Sequence, residues 1–127
     1  MIRPPRLIDR LRSFKFAFRG IGTMVQSQEN AWVHVCATIS VVAGGLFFRV
    51  TPAEWCWLVL AIMAVWSAEA LNTALEFLAD VTSPDFNPLV EKAKDVAAGA
   101  VLIAAVGAAV IGALIFGTRI IGVINKL

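Results

Sequence analysis

Three long apolar runs limit what this chain can fold into more than any other feature. From Val96 to about Phe116 no residue is charged, and about twenty apolar residues suffice for a helix to cross the hydrocarbon core of a bilayer. An earlier run, from about Ala31 to Phe48, is interrupted only by His34, Thr38 and Ser40. Another begins at Trp55 and continues through Ala68. With 127 residues, 59% of them hydrophobic, and a mean hydropathy of +0.80, a soluble domain could not hide this much apolar surface. The expectation is an all-α integral membrane protein with an N-terminal amphipathic surface helix and three transmembrane helices. Such a length suits one domain over 1–127, with the surface helix at 7–28 and spans at 31–48, 55–79 and 93–117.

Residues 1–6 read as a disordered basic tail, and no cleavable signal is expected ahead of the first apolar run. From Leu7 the apolar residues Leu7, Leu11, Phe14, Phe18 and Ile21 recur in steps of four and three, a helical stripe. Arg10, Arg12, Lys15 and Arg19 take the remaining faces, a pattern suited to lying on a membrane surface. Pro52 is placed to open the second span, while Trp55 and Trp57 suit an interfacial belt. Thr82 to Val90 reads as a loop with two prolines. The third span is rich in alanine and glycine, which allow close helix packing in lipid. Cys36 and Cys56 lack metal or disulfide spacing and read as small hydrophobes.

Basic residues near span ends set topology. Arg3, Arg6, Arg10, Arg12, Lys15, Arg19, Lys92 and Lys94 fall on one side, against Arg49, Arg119 and Lys126 on the other. This predicts a multi-pass protein of the cytoplasmic (inner) membrane, with the N-terminus and the 80–95 loop cytoplasmic and the C-terminus outside.

The second span ends in a polar stripe. Glu69, Asn72, Glu76 and Asp80 follow steps of three, four and four, so on a helix they share one sector of roughly 80°. Ionisable groups at membrane depth are costly and generally face a bundle interior or a watery site. A seam that only joins helices would explain Asn72, but it explains the acids beside it less well. Glu69 lies about 10 Å along the axis from Glu76 and about 16 Å from Asp80. The deepest acid could therefore reach a lipid hydroxyl while the shallower ones meet water, metal and nucleotide.

The sequence holds no Walker motif, no kinase glycine loop and no HExxH site. What remains is a set of carboxylates opposite a loop carrying Lys92, Lys94 and Asp95. Carboxylates hold Mg²⁺, lysine neutralises phosphate, and a buried carboxylate can accept a hydroxyl proton. A lipid-phosphorylating enzyme fits these residues; a small ion- or proton-conducting bundle would use the same residue types.

Glu69-Ala70-Leu71-Asn72-Thr73-Ala74-Leu75-Glu76 resembles the E-x-x-N-[TS]-A-[IL]-E signature of the small prokaryotic diacylglycerol kinase/undecaprenol kinase family. Ala93-Lys94-Asp95-Val96-Ala97-Ala98-Gly99-Ala100-Val101-Leu102 resembles its second signature. The resemblance covers nearly the whole chain. It implies a homotrimer with active sites between protomers, transferring the ATP γ-phosphate to a lipid hydroxyl with Mg²⁺. No nucleic-acid partner is expected.

Carried over by position, the resemblance implies Glu69 as general base with Asn72 in support, and Glu76 as a metal ligand at the nucleotide site. Lys94 and Asp95 match nucleotide contacts, and Asp85, Phe86 and Asn87 fall where the family also touches the nucleotide. One departure stands out. The family's second metal-binding glutamate precedes the first span, in an E-x-N-x-x-x-H pattern in the undecaprenol-kinase-like branch. Here Asn30 and His34 fit, but the first position is Gln28, with Glu29 beside it. The metal set is therefore Glu76 with either Gln28 or Glu29. An inactive homologue serving as an assembly factor stays open on the same ground, and the acceptor is undecaprenol or diacylglycerol.

Overall fold

The computed structural model describes residues 7–125, with side chains from residue 12 onward except that of Glu29. The basic tail, the side chain of Arg10, the side chain of Glu29 and Lys126 thus lie outside the described residues. Four helices follow one another: α1 (Leu7–Ser27), α2 (Glu29–Phe47), α3 (Pro52–Thr82) and α4 (Pro88–Ile124). α3 and α4 begin earlier than the expected 55 and 93, because a proline opens each at the first helical position. There its missing N–H costs no helical hydrogen bond.

The last three helices are long and apolar enough to cross a membrane. Their outer faces carry large apolar side chains that nothing in the protomer covers, such as Val59, Leu60, Ile103 and Val110. In water such a surface would be untenable; in a bilayer the lipid tails meet it. This is a multi-pass membrane protein. At 31 residues, α3 is about 46 Å long, more than the roughly 30 Å of hydrocarbon it must cross. The surplus length lets one end of α3 emerge into the headgroup region.

α3 and α4 pack along each other, and α1 and α2 lean on α3 more lightly. A small cluster at one end, Val50, Leu58 and Ile115 with Trp55, Ile111 and Phe116 against it, sets their relative register. The α2–α3 turn is tight there. Arg49 takes φ 51°, and a Cβ on Gly45 would lie 2.6 Å from the Trp55 ring, so only glycine admits that approach. Thr51 and Glu54 close a reciprocal capping box. Glu54 also receives both Arg119 nitrogens at 2.6 Å, which ties the start of α3 to the end of α4.

At the opposite end, a single residue separates α1 from α2. Gln28 is extended (φ −113°, ψ 119°), and its side chain makes no cap. Asn87, by contrast, caps α4 by accepting from the Leu89 N–H at 2.9 Å. The difference matters because the Gln28 amide is left to act elsewhere.

Candidate active site

The polar stripe of α3 runs from buried to exposed. Glu69 is 2% exposed and Asn72 7%, Glu76 is half-buried, and the Asp80 side chain is 67% exposed. Helical periodicity aligns them, and the packing of α1 and α2 over one end of the stripe produces the gradient.

Each acid meets partners from another element. His34 of α2 brings Nε2 to 3.8 Å from Glu69 Oε2. The imidazole stands edge-on to Trp66, with centroids 6.3 Å apart, and Trp66 Nε1 donates to Thr38 Oγ1 at 3.0 Å. Glu69 also gives its backbone carbonyl to the Thr73 hydroxyl, so the buried acid sits on a stiffened turn. About two turns further along, Glu76 is clamped by two amides. Gln28 Nε2 donates to Oε2 at 2.6 Å, and Asn72 Nδ2 donates to Oε1 at 3.1 Å.

Asn72 therefore contacts Glu76, whereas the resemblance associates it with Glu69. Its Oδ1 is buried and unpartnered. Turning the amide over would set oxygen against the carboxylate, so the carboxylate itself fixes the amide's orientation. Among the described residues no three His, Cys, Asp or Glu side chains gather. A Mg²⁺ site does not require that, because the ion keeps several waters and commonly takes one or two carboxylates plus substrate phosphate oxygens. Glu76 supplies the anionic oxygens such an ion takes, and the Gln28 amide, which here turns its N–H to that carboxylate, carries a further hard oxygen, so the residue types fit such an ion.

Beyond Glu76 the helix reaches a separate open cavity of about 390 Å³. Asp85, Phe86, Asn87, Lys94 and Asp95, all named from the sequence, share its wall with Asp80. Lys94 Nζ donates to Asp80 Oδ1 at 3.0 Å and stays partly exposed. Phe86 is 78% exposed. The arrangement offers a cation, four acids (Asp80, Asp85, Glu91 and Asp95) and an exposed aromatic face around a space open to solvent.

The sequence reading missed how closely His34 approaches Glu69 and missed the Trp66–Thr38 brace behind it. The match of His34 to the E-x-N-x-x-x-H pattern was the available signal.

The prokaryotic diacylglycerol kinase family matches residues 15–116, a stretch that contains both the clamped acids and the open cavity. This chain belongs to that family. Undecaprenol kinase of Bacillus subtilis (strain 168) is 38% identical over 95 residues, covering 75% of this chain and 77% of the relative. Diacylglycerol kinase of Synechocystis sp. is 34% identical over 99 residues, covering 77% of this chain but 57% of that longer protein. Diacylglycerol kinase of Helicobacter pylori (strain ATCC 700392 / 26695) is 29% identical over 104 residues. No solved structure matches the chain significantly. As a member of this family the chain is an enzyme of the kinase class.

Proposed function

We propose that this protein is an ATP-dependent lipid kinase that phosphorylates a membrane alcohol, undecaprenol or diacylglycerol, from the cytoplasmic side. The observation that carries the reading is the graded stripe on α3. A nearly inaccessible Glu69 is followed by a half-buried Glu76, then by an open cavity with Lys94 and Asp95. That order suits a lipid hydroxyl held at depth and a nucleotide held in water.

In this mechanism Glu69 accepts the proton of the lipid hydroxyl as its oxygen attacks the γ-phosphorus. The new O–P bond forms while the bond from γ-phosphorus to the ADP oxygen breaks, and ADP leaves. His34 stands 3.8 Å from that carboxylate, on the side from which α2 covers it. Lys94 and Asp95 contact the nucleotide, with Asp85, Phe86 and Asn87 forming the rest of its wall. Glu76, with Gln28 or Glu29, would hold a Mg²⁺ that neutralises phosphate charge when bound. Asn72 keeps Glu76 oriented through its amide. The assembly is a homotrimer, α1 lies on the cytoplasmic surface, and the C-terminus faces outside.

The test is a panel of lipid alcohols incubated with the purified protein, Mg²⁺ and radiolabelled ATP. Label should move into an undecaprenol or diacylglycerol phosphate. Label remaining in ATP across the panel would overturn the reading.

A further inference from the structure

A second cavity runs away from the nucleotide end, enclosed by α2, α3 and α4. This slot holds about 250 Å³. His34 stands in its wall, and the same imidazole faces Glu69. Leu58 marks its depth along α3, about 16 Å along the helix from Glu69. On α4 its wall is built from Ala105, Ala108 and Gly112. A Cβ on Gly112 would meet no atom within 4 Å, so the space beside it is open.

We propose that this slot receives the hydrocarbon segment next to the acceptor's hydroxyl. We infer further that its wall selects an alcohol on a single ester-free chain, a polyprenol, over a diacylglycerol. The inference rests on the lipid-kinase reading above and names the substrate class for it. Three helices of one protomer line the slot within the apolar part of the bundle, where hydrocarbon is the surrounding medium. Its end at His34 meets the buried acid that would take the hydroxyl proton, so a bound alcohol would point its tail toward Leu58, deeper into the bilayer. Drug-sized ligands fill roughly 300–1,000 Å³, so the slot grips one segment of a long lipid and leaves the rest in the membrane.

The choice between acceptors follows from the polar groups. Of the wall side chains only His34 and Thr38 are polar. His34 turns its Nε2 to Glu69, and Thr38 Oγ1, which accepts from Trp66, has a single O–H to offer the two ester carbonyls of a diacylglycerol. The ester carbonyls of a diacylglycerol, which lie close to its hydroxyl, would enter with poor hydrogen bonding and lose affinity for it. A polyprenol carries no such groups beside its hydroxyl.

Steady-state kinetics on the full-length protein in mixed micelles test both parts, with a five-carbon prenol, a long polyprenol and a diacylglycerol as acceptors. The wild type should favour the long polyprenol over diacylglycerol by roughly ten-fold or more in kcat/KM. Gly112→Leu should raise KM for the long polyprenol by roughly ten-fold while KM for ATP and the rate on the five-carbon prenol hold. Val110→Leu, on an exposed position outside the slot, should change none of these. Independently, a polyprenol carrying a photoreactive group on its first isoprene units should label wild-type α4 between Ala105 and Ala113.

Equal or better use of diacylglycerol would overturn the selection. An unchanged polyprenol KM in Gly112→Leu, labelling elsewhere, or protein–protein adducts at the slot would overturn the slot itself, and the lipid-kinase reading would survive as long as the wild type turns over. A wild type inactive on every lipid would sink that reading, and the slot proposal with it.

Discussion

Glu69 occupies the most demanding position in the molecule, a carboxylate 2% exposed on a helix that crosses a membrane. If it serves as general base, Glu69→Gln keeps the shape and the His34 contact but cannot take a proton. Turnover should fall by about 10²- to 10⁴-fold with ATP binding largely intact, measured by initial rates beside nucleotide binding. Wild-type turnover would remove Glu69 from the role. Glu76 poses a different question, because in this structure Gln28 gives it an amide N–H at 2.6 Å. A second carboxylate would hold Mg²⁺ better than an amide. Gln28→Glu should therefore lower the Mg²⁺ concentration for half-maximal rate, with Glu29→Gln doing little. If Glu29 is the second ligand, Glu29→Gln raises that requirement sharply and Gln28→Ala is mild. Glu76→Gln should be severe in both cases, and an unchanged Mg²⁺ titration there would show that the carboxylate is structural.

At the scale of elements, the α2–α3 turn is where packing tolerates least change. The Gly45 Cα hydrogens face the Trp55 ring so closely that an added Cβ would sit at 2.6 Å, and its neighbour Gly44 would place one at 3.3 Å from Phe116. Gly45→Ala should destabilise the detergent-solubilised protein by about 1–3 kcal/mol, read from its unfolding curve. Gly45→Ala with Trp55→Leu should recover part of that loss, since the smaller side chain removes the clash. Gly99→Ala, at a helical glycine with open space around it, should cost nothing measurable. An equal loss at Gly99 would mean that helix flexibility, not the Trp55 contact, sets the response.

For the whole molecule, orientation decides whether the open cavity beside Lys94 meets ATP. The basic residues of α1 and of the start of α4 share an end of the bundle with that cavity, and positive charge is retained on the cytoplasmic side. A reporter fused after Leu127 should thus be accessible only from outside the cytoplasmic membrane. A cytoplasmic C-terminus would place the cavity away from nucleotide, or require a different number of crossings.

Much of this protein was legible in its sequence because local physics decides it. Apolar runs with almost no charge could only be membrane helices, and steps of three and four aligned Glu69, Asn72, Glu76 and Asp80 before any packing was known. Pro52 marks where α3 begins, whereas Pro88, which reads from sequence as part of a loop, opens α4. What the residues of separate helices do to one another was not legible. Gln28 and Glu76 lie 48 positions apart, and Arg119 and Glu54 lie 65 apart, yet each pair is in hydrogen-bond contact. No periodicity encodes such meetings, because the register between helices is set by side-chain packing around Val50, Leu58 and Ile115 and by the uncapped break at Gln28. The slot beside His34 belongs to the same class. Small residues announced close packing, but only the way three helices diverge decided that they would line a space instead of filling it.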